Sequence, residues 1–368
     1  MAYTTIDDPS AYFHTQLYTG NGSSGLSITN DANAGNFQPD FLWIKPRSGS
    51  DNHVLFDSSR GQDKQLKLNS ADAEDTHSPA RITFETDGFD LDTTDGNYNG
   101  NTTTYVAWQW KANAGSTTSQ TGSDINSVTQ VNSTSKFGIM TYTGASNADA
   151  DSDNNSGAYW RIKHGLGSTP KVLIIKNRGT AGWYIWHHGF DGASTTDGDH
   201  LYLPANSVMA SEGGNILWGN TAFSSTEIEV GAWNVVNRDS QTFIGYYWDE
   251  VKGFSKHGFY KGNGNANGPF VYLGFKPAFV MIKCTSQSEP WFVVDTSRSA
   301  DNPTLEALIP NANDAENTTD GYSIDLLSNG FKCRADSGQQ NEGAGHYVYM
   351  AFAEHPFVSS EGVPCTAR

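Results

Sequence analysis

Three stretches share one pattern of apolar and polar positions: Pro-Asp-Phe-Leu-Trp-Ile-Lys at 39–45, Pro-Lys-Val-Leu-Ile-Ile-Lys at 170–176 and Pro-Ala-Phe-Val-Met-Ile-Lys at 277–283. Each opens on Pro, closes on Lys, and is almost wholly apolar between. A run of about five such residues, rich in Ile, Val, Phe and Trp and bounded by Pro and a polar turn, predicts a strand buried on both faces. A buried helix of that length is the competing reading. The leading Pro and the β-branched and aromatic content favour the strand.

The flanking words recur in the same order. Before each run lies an aromatic segment ending in a Gly turn, opening at Phe13, Phe137 and Phe254. After it come a second apolar strand, around Leu55, Ile185 and Val293, and a closing aromatic strand, around Trp108, Tyr246 and Tyr349. Asp57-Ser-Ser-Arg60 and Asp295-Thr-Ser-Arg298 match, as do the pairs Gly88-Phe89 and Gly330-Phe331. Matched words in one order indicate an internal triplication.

The fold class expected is all-β: three tandem antiparallel β-sandwich repeats, at 1–113, 136–250 and 251–358. Residues 114–135, rich in Ser, Thr, Gly, Asn and Gln, read as a flexible connector in which Ile125, Val128 and Val131 hint at a short strand. Residues 359–368 read as a polar tail. The second repeat departs most, having neither Asp-x-x-Arg nor a clear Gly-Phe pair before its closing strand. Abundant Gly, Asn, Asp, Ser and Thr suit short strands joined by turns.

The formal net charge of −17 argues against nucleic-acid binding, which needs a basic footprint. No leader pattern or membrane-length apolar stretch is present, so synthesis in the cytosol without membrane insertion is expected. Cys284, Cys333 and Cys365 are odd in number, confined to the last repeat and its tail and without metal-ligand spacing, so no disulfide framework and reduced thiols are expected.

Candidate chemistry is sparse. Asp149, Asp151 and Asp153 alternate as calcium ligands do, but Asn154 and Trp160 stand where an EF-hand needs Gly and Glu. A looser Ca²⁺ site or an acidic hairpin tip are the two readings left; no other cofactor is indicated. Asp57/Arg60 and Asp295/Arg298 would fix a turn or grip a carboxylate. His187-His188 has no zinc spacing, and 262–268 reads as a hairpin turn rather than a dinucleotide loop. No nucleophile elbow, phosphate loop or distinct carboxylate pair points to an enzyme. Most Trp fall in the repeated strands and are expected in the core; Trp218 and Trp233 are the candidates for exposed, ligand-stacking aromatics. Any binding surface is expected in the loops at 90–101, 147–159, 191–199 and 311–321, which differ between repeats.

The run at 41–47, Phe-Asp-Ser-Ser-Arg-Gly at 56–61, the closing strand at 105–111 and the ending at 347–357 resemble a family of triplicated proteins encoded by tailed bacteriophages, many of them marine. His-Gly-Leu-Gly-Ser-Thr-Pro, beginning at His164, resembles a turn of phage tail-fibre modules. The resemblance covers nearly the whole chain and implies a concanavalin- or SPRY-like, jelly-roll sandwich in each repeat. It also implies a non-enzymatic virion structural protein: a tail-fibre or adhesin component that meets the host surface, the alternatives being a capsid decoration protein or a tail-borne polysaccharide depolymerase. Other virion proteins and a host-surface glycan are the expected partners. A homotrimer is the expected assembly, because virion appendages are commonly symmetric.

Overall fold

A computed structural model describes residues 3–31, 36–146, 158–190, 198–211, 217–219 and 221–366. It is an antiparallel all-β protein whose strands fall into three sets in chain order.

The first set holds β1 (Phe13–Thr19), β2 (Leu26–Thr29), β3 (Phe41–Pro46), β4 (Val54–Asp57), β5 (Lys64–Lys67), β6 (Asp75–Thr76), β7 (Ile82–Glu85), β8 (Gly88–Leu91) and β9 (Thr104–Trp110). The second holds β10 (Thr118–Gln120), β11 (Ser127–Asn132), β12 (Phe137–Thr143), β13 (Trp160–Lys163), β14 (Val172–Asn177), β15 (Trp183–His187), β16 (Asp199–Tyr202), β17 (Ala210–Ser211), β18 (Glu227–Val230) and β19 (Thr242–Trp248). The third holds β20 (Ser255–Lys261), β21 (Phe270–Tyr272), β22 (Phe275–Cys284), β23 (Phe292–Asp295), β24 (Ile324–Leu327), β25 (Gly330–Cys333) and β26 (His346–Pro356).

Each set builds a larger sheet on the same order of four strands: β1-β9-β3-β4, β12-β19-β14-β15 and β20-β26-β22-β23. A smaller sheet faces it: β2-β8-β7, β13-β18 and β21-β25-β24. The register repeats as well. Ile44 lies opposite Ala107, Ile175 opposite Gly245 and Ile282 opposite Tyr349, with the Lys one step on facing Val106, Ile244 and Val348. The three Pro-to-Lys runs are therefore equivalent central strands.

Those runs are apolar throughout because both faces are covered. On β3, Leu42 and Ile44 point into the sandwich against Ile28, Ile82, Phe89 and Leu91 of the small sheet. Phe41 and Trp43 point the other way, into a cluster shared by all three sets. The Gly-Phe pairs are explained by the small sheets: a Cβ on Gly88 or Gly330 would run into the carbonyl oxygen of Ile28 or Val271. In the second set Glu227 takes this position, opposite Lys163, and in place of β7 a single antiparallel bridge joins Trp218 to Val230 of β18.

Stacked rings close each sandwich: Tyr18 on Tyr105, Tyr142 on Phe243 and Tyr260 on Tyr347, with centroids 4.9, 5.0 and 4.9 Å apart. Ahead of each closing strand a short helix or turn ends on a buried Asn. Asn99, Asn237 and Asn341 accept the backbone N–H of Asn21, Ala145 and Asn263 and donate to backbone carbonyls. The loop at 90–101 is thus not free to vary: its end is buried and satisfies backbone groups that would otherwise be orphaned.

The segment at 114–135 differs from the expected flexible connector. β11 pairs along β12, with Val128 opposite Thr141 and Gln130 opposite Ile139, and Ile125 is buried beside Ile162. Gln130 also donates to Ser58 and Ser59 and accepts from Asn113 and Gly115. Composition suggested mobility, but strand pairing and the buried side chains of Ser127, Thr129 and Gln130 tie the segment to the second sandwich.

Candidate binding surface

The outward faces of the three large sheets meet around one axis. Phe41 packs on Tyr246 at 4.8 Å, Phe13 on Phe352 at 5.2 Å, Trp110 on Phe352 at 5.3 Å and on Trp248 at 6.2 Å. The apolar cleft left between them holds about 30 Å³, room for about one water, so the axis is a core and not a channel.

Polar contacts lock the sandwiches in cyclic order. Asp57, His187 and Asp295 occupy one position, the exit of the third sheet strand, opposite Phe41, Val172 and Phe279. Asp57 accepts the Tyr246 hydroxyl of the second sandwich at 2.6 Å. His187 donates through Nε2 to the Tyr349 carbonyl of the third at 3.1 Å. Asp295 accepts Trp108 Nε1 of the first at 3.0 Å. Each unit grips the closing strand of the next, and the ring closes.

A second cycle runs outside the first. Arg178 forms two hydrogen bonds with Glu74, and Arg47 two with Glu316. Arg60 and Arg298, each already held by its buried Asp, reach the same two carboxylates. Burial pushes the Glu74 and Glu316 carboxyls up, but hydrogen bonds from Arg178 and Arg47 outweigh it and hold both below the usual range. At the third junction no such ion pair occurs among the described residues; Met209 N–H donates to the Thr285 carbonyl where the backbone N–H groups of Glu74 and Glu316 donate to the carbonyls of Arg178 and Arg47. Asp-x-x-Arg does fix a turn, as expected, and it also forms one wall of the junction. The second sandwich lacks it because His187 and Phe190 replace the pair.

The repeated lysines belong to these junctions. Lys45, Lys176 and Lys283 are fully buried, and their ammonium groups donate to the carbonyls of Pro46, Asn177 and Cys284 at 2.8, 2.7 and 2.6 Å. Burial pushes each down to about 8. Carbonyl capping at this one site was not legible as chemistry, although the repetition of Lys marked it.

The residues singled out as candidates are dispersed. Asp149, Asp151 and Asp153 lie outside the described residues, as do most of the loops at 147–159 and 191–199. Among the described residues no group of three His, Cys, Asp or Glu side chains is placed to hold a metal. Trp218 is fully buried rather than exposed: its Nε1 donates to the Asp199 carbonyl and its ring packs against Phe223, filling the smaller core of the second sandwich. Trp233 is half-buried, its ring edge-on to Tyr184 at 5.4 Å and His200 at 6.0 Å. In the loop at 311–321, Glu316 is spent on the junction. Cys284, Cys333 and Cys365 are unpaired. No helix among the described residues is long and apolar enough to cross a membrane.

The surface that sequence reasoning missed lies on strands of the third sandwich. Phe259 on β20 and Phe270 and Tyr272 on β21 are 57, 46 and 50 % exposed, and they border an open groove of about 430 Å³ together with His188, Glu250 and Lys256. Pairing register places Leu17 and Thr141 at the position of Phe259, Ser27 and Arg161 at that of Phe270, and Thr29 and Lys163 at that of Tyr272. The fold does not require aromatics there. Comparing repeats position by position was the signal that would have found them.

Fold and surface together define an all-β protein built as a closed ring of three interlocked sandwiches with one aromatic groove. Residues 8–356 match the model of the family described as Domain of unknown function (DUF7483), and the chain belongs to that family. Neither the curated proteins nor the solved structures contain a match.

Proposed function

We propose that this chain is a non-enzymatic structural protein of a tailed-phage virion, a tail-associated component that contacts the host surface by binding. The observation that carries this reading is the closed ring. Its polar side chains at the junctions, Asp57, Asp295, Glu74 and Glu316, are consumed in holding sandwiches together rather than aimed into a cleft. A rigid block of this kind suits a part that must keep its shape and present loops and strand faces. The resemblance of its repeated words to phage proteins supplies the setting.

Compactness favours a second reading, capsid decoration, because a ring that is complete within one chain can sit as a block on a lattice. Copies of the ring are proposed to associate further as a homotrimer among other virion proteins, since closed symmetry lets one contact repeat. Antibody labelling of intact particles tests the assignment: label at the tail supports the adhesin, label on the head supports decoration, and no label on purified particles overturns both. A monodisperse monomer by light scattering would count against the trimer.

A further inference from the structure

The groove on the third sandwich is a built site, and we propose that it binds an oligosaccharide of neutral pyranose units through ring stacking on Phe259, Phe270 and Tyr272. Half-exposed aromatics at three positions where the sister sandwiches carry Leu, Thr, Ser, Arg and Lys serve no packing role that those sandwiches need. One face of Phe259 rests on His346 at 5.4 Å, which fixes the ring and leaves its other face to the groove. Tyr272 is fixed too: its hydroxyl meets Tyr3, and Lys256 lies over its ring while donating to its carbonyl. No other ring stacks on Phe270 or Tyr272 among the described residues. A ring held on one face and open on the other loses little freedom when a flat, C–H-lined face covers it.

The alternatives are weaker. A strand from a partner would add to the edge of β20, as β11 adds to β12, but here Glu250 accepts the His257 N–H at 2.9 Å and His188 donates to the His257 carbonyl at 2.6 Å. Those bonds block the position at which Gln130 pairs with Ile139 in the second sandwich. Stacked nucleobases would bring phosphates to a chain of net charge −17. The groove itself carries one Lys and one Glu, which supply donors and an acceptor for hydroxyl groups without selecting a charged ligand. Its volume of about 430 Å³ lies in the range of small-ligand sites.

That the sugar belongs to a host surface rests on the virion reading; that the groove binds sugar does not. Saturation-transfer NMR with the full chain and four probes, maltohexaose, cellohexaose, chitohexaose and mannohexaose, tests it. At least one is expected to bind, with Phe270→Ala and Tyr272→Ala weakening it by about tenfold each. Val128→Ala, exposed on another sandwich, is the control and should change nothing. Unfolding midpoints of all variants should match the parent, since the rings are exposed. If no probe binds at about 10 mM, or if binding survives both substitutions, the site is refuted. Binding by a protein that labelling finds absent from particles would sink the virion reading alone; a particle-bound protein that takes none of the probes would sink the sugar site alone.

Discussion

Asp57→Ala should damage the ring more than its size suggests. Asp57 is fully buried and accepts the N–H groups of Ser59 and Arg60, the Arg60 guanidinium and the Tyr246 hydroxyl. Removing it leaves the Arg60 side chain buried with Glu74 as its remaining carboxylate, and breaking a buried pair in this way costs about 3–5 kcal/mol. The orphaned Tyr246 hydroxyl lies within that figure at about 1–3 kcal/mol. The second sandwich shows a different solution at the same place, His187 with Phe190, so the double variant Asp57→His/Arg60→Phe removes both charges together. Replacing a buried pair by packed, uncharged groups is close to neutral, and the double variant should recover all but about 2 kcal/mol of the loss. Urea unfolding followed by Trp fluorescence reads the effect directly, because Trp108 and Trp110 lie at the junctions. If the single and double variants are destabilised equally, the argument from an uncompensated guanidinium is wrong.

Acid should weaken the fold before the carboxylates titrate. Burial pushes His187 down to about 3 and His164 to about 4, and holds His53 and His257 well below their ordinary value. The unfolded chain therefore binds more protons, and stability falls as pH drops from about 6.5 toward 4 at up to 1.4 kcal/mol per histidine per pH unit; equal urea midpoints at pH 7 and 5 would refute this. At alkaline pH the same cause acts with the same sign. The three buried lysines, lowered to about 8, hold fewer protons folded than unfolded, so stability should rise between pH 8 and about 9, until ionising Cys and Tyr of the unfolded chain reverse it. Lys176→Met should flatten that rise, and an unchanged slope would show that Lys176 does not contribute. Tyr105→Phe removes a hydroxyl that donates to Gly96 and accepts from Gly100. Since Phe243 stands at the equivalent place, calorimetry should show a loss of only about 1–2 kcal/mol, and a larger one would mean the corner carries more than these bonds.

Sequence alone determined the triplication, the all-β class and the central strands, because strand burial on both faces leaves an apolar run that no exposed segment would keep. It also marked Asp-x-x-Arg and Gly-Phe as special, since repetition at fixed order singles out positions under geometric constraint. Tertiary structure decided how the units meet. Phe41 and Trp43 read as core in either a separate sandwich or a ring, and only the packing of three sheet faces distinguishes them. Trp218 carries no neighbour in sequence that reveals the buried Asp199 carbonyl it serves, and the polar words of the segment at 114–135 do not reveal the open edge of β12 that orders it. The aromatic groove was hidden for a related reason: Phe259 and the pair on β21 are apart in the chain, and a strand's apolar residue belongs to the core or to the surface according to which face its partner strand leaves bare.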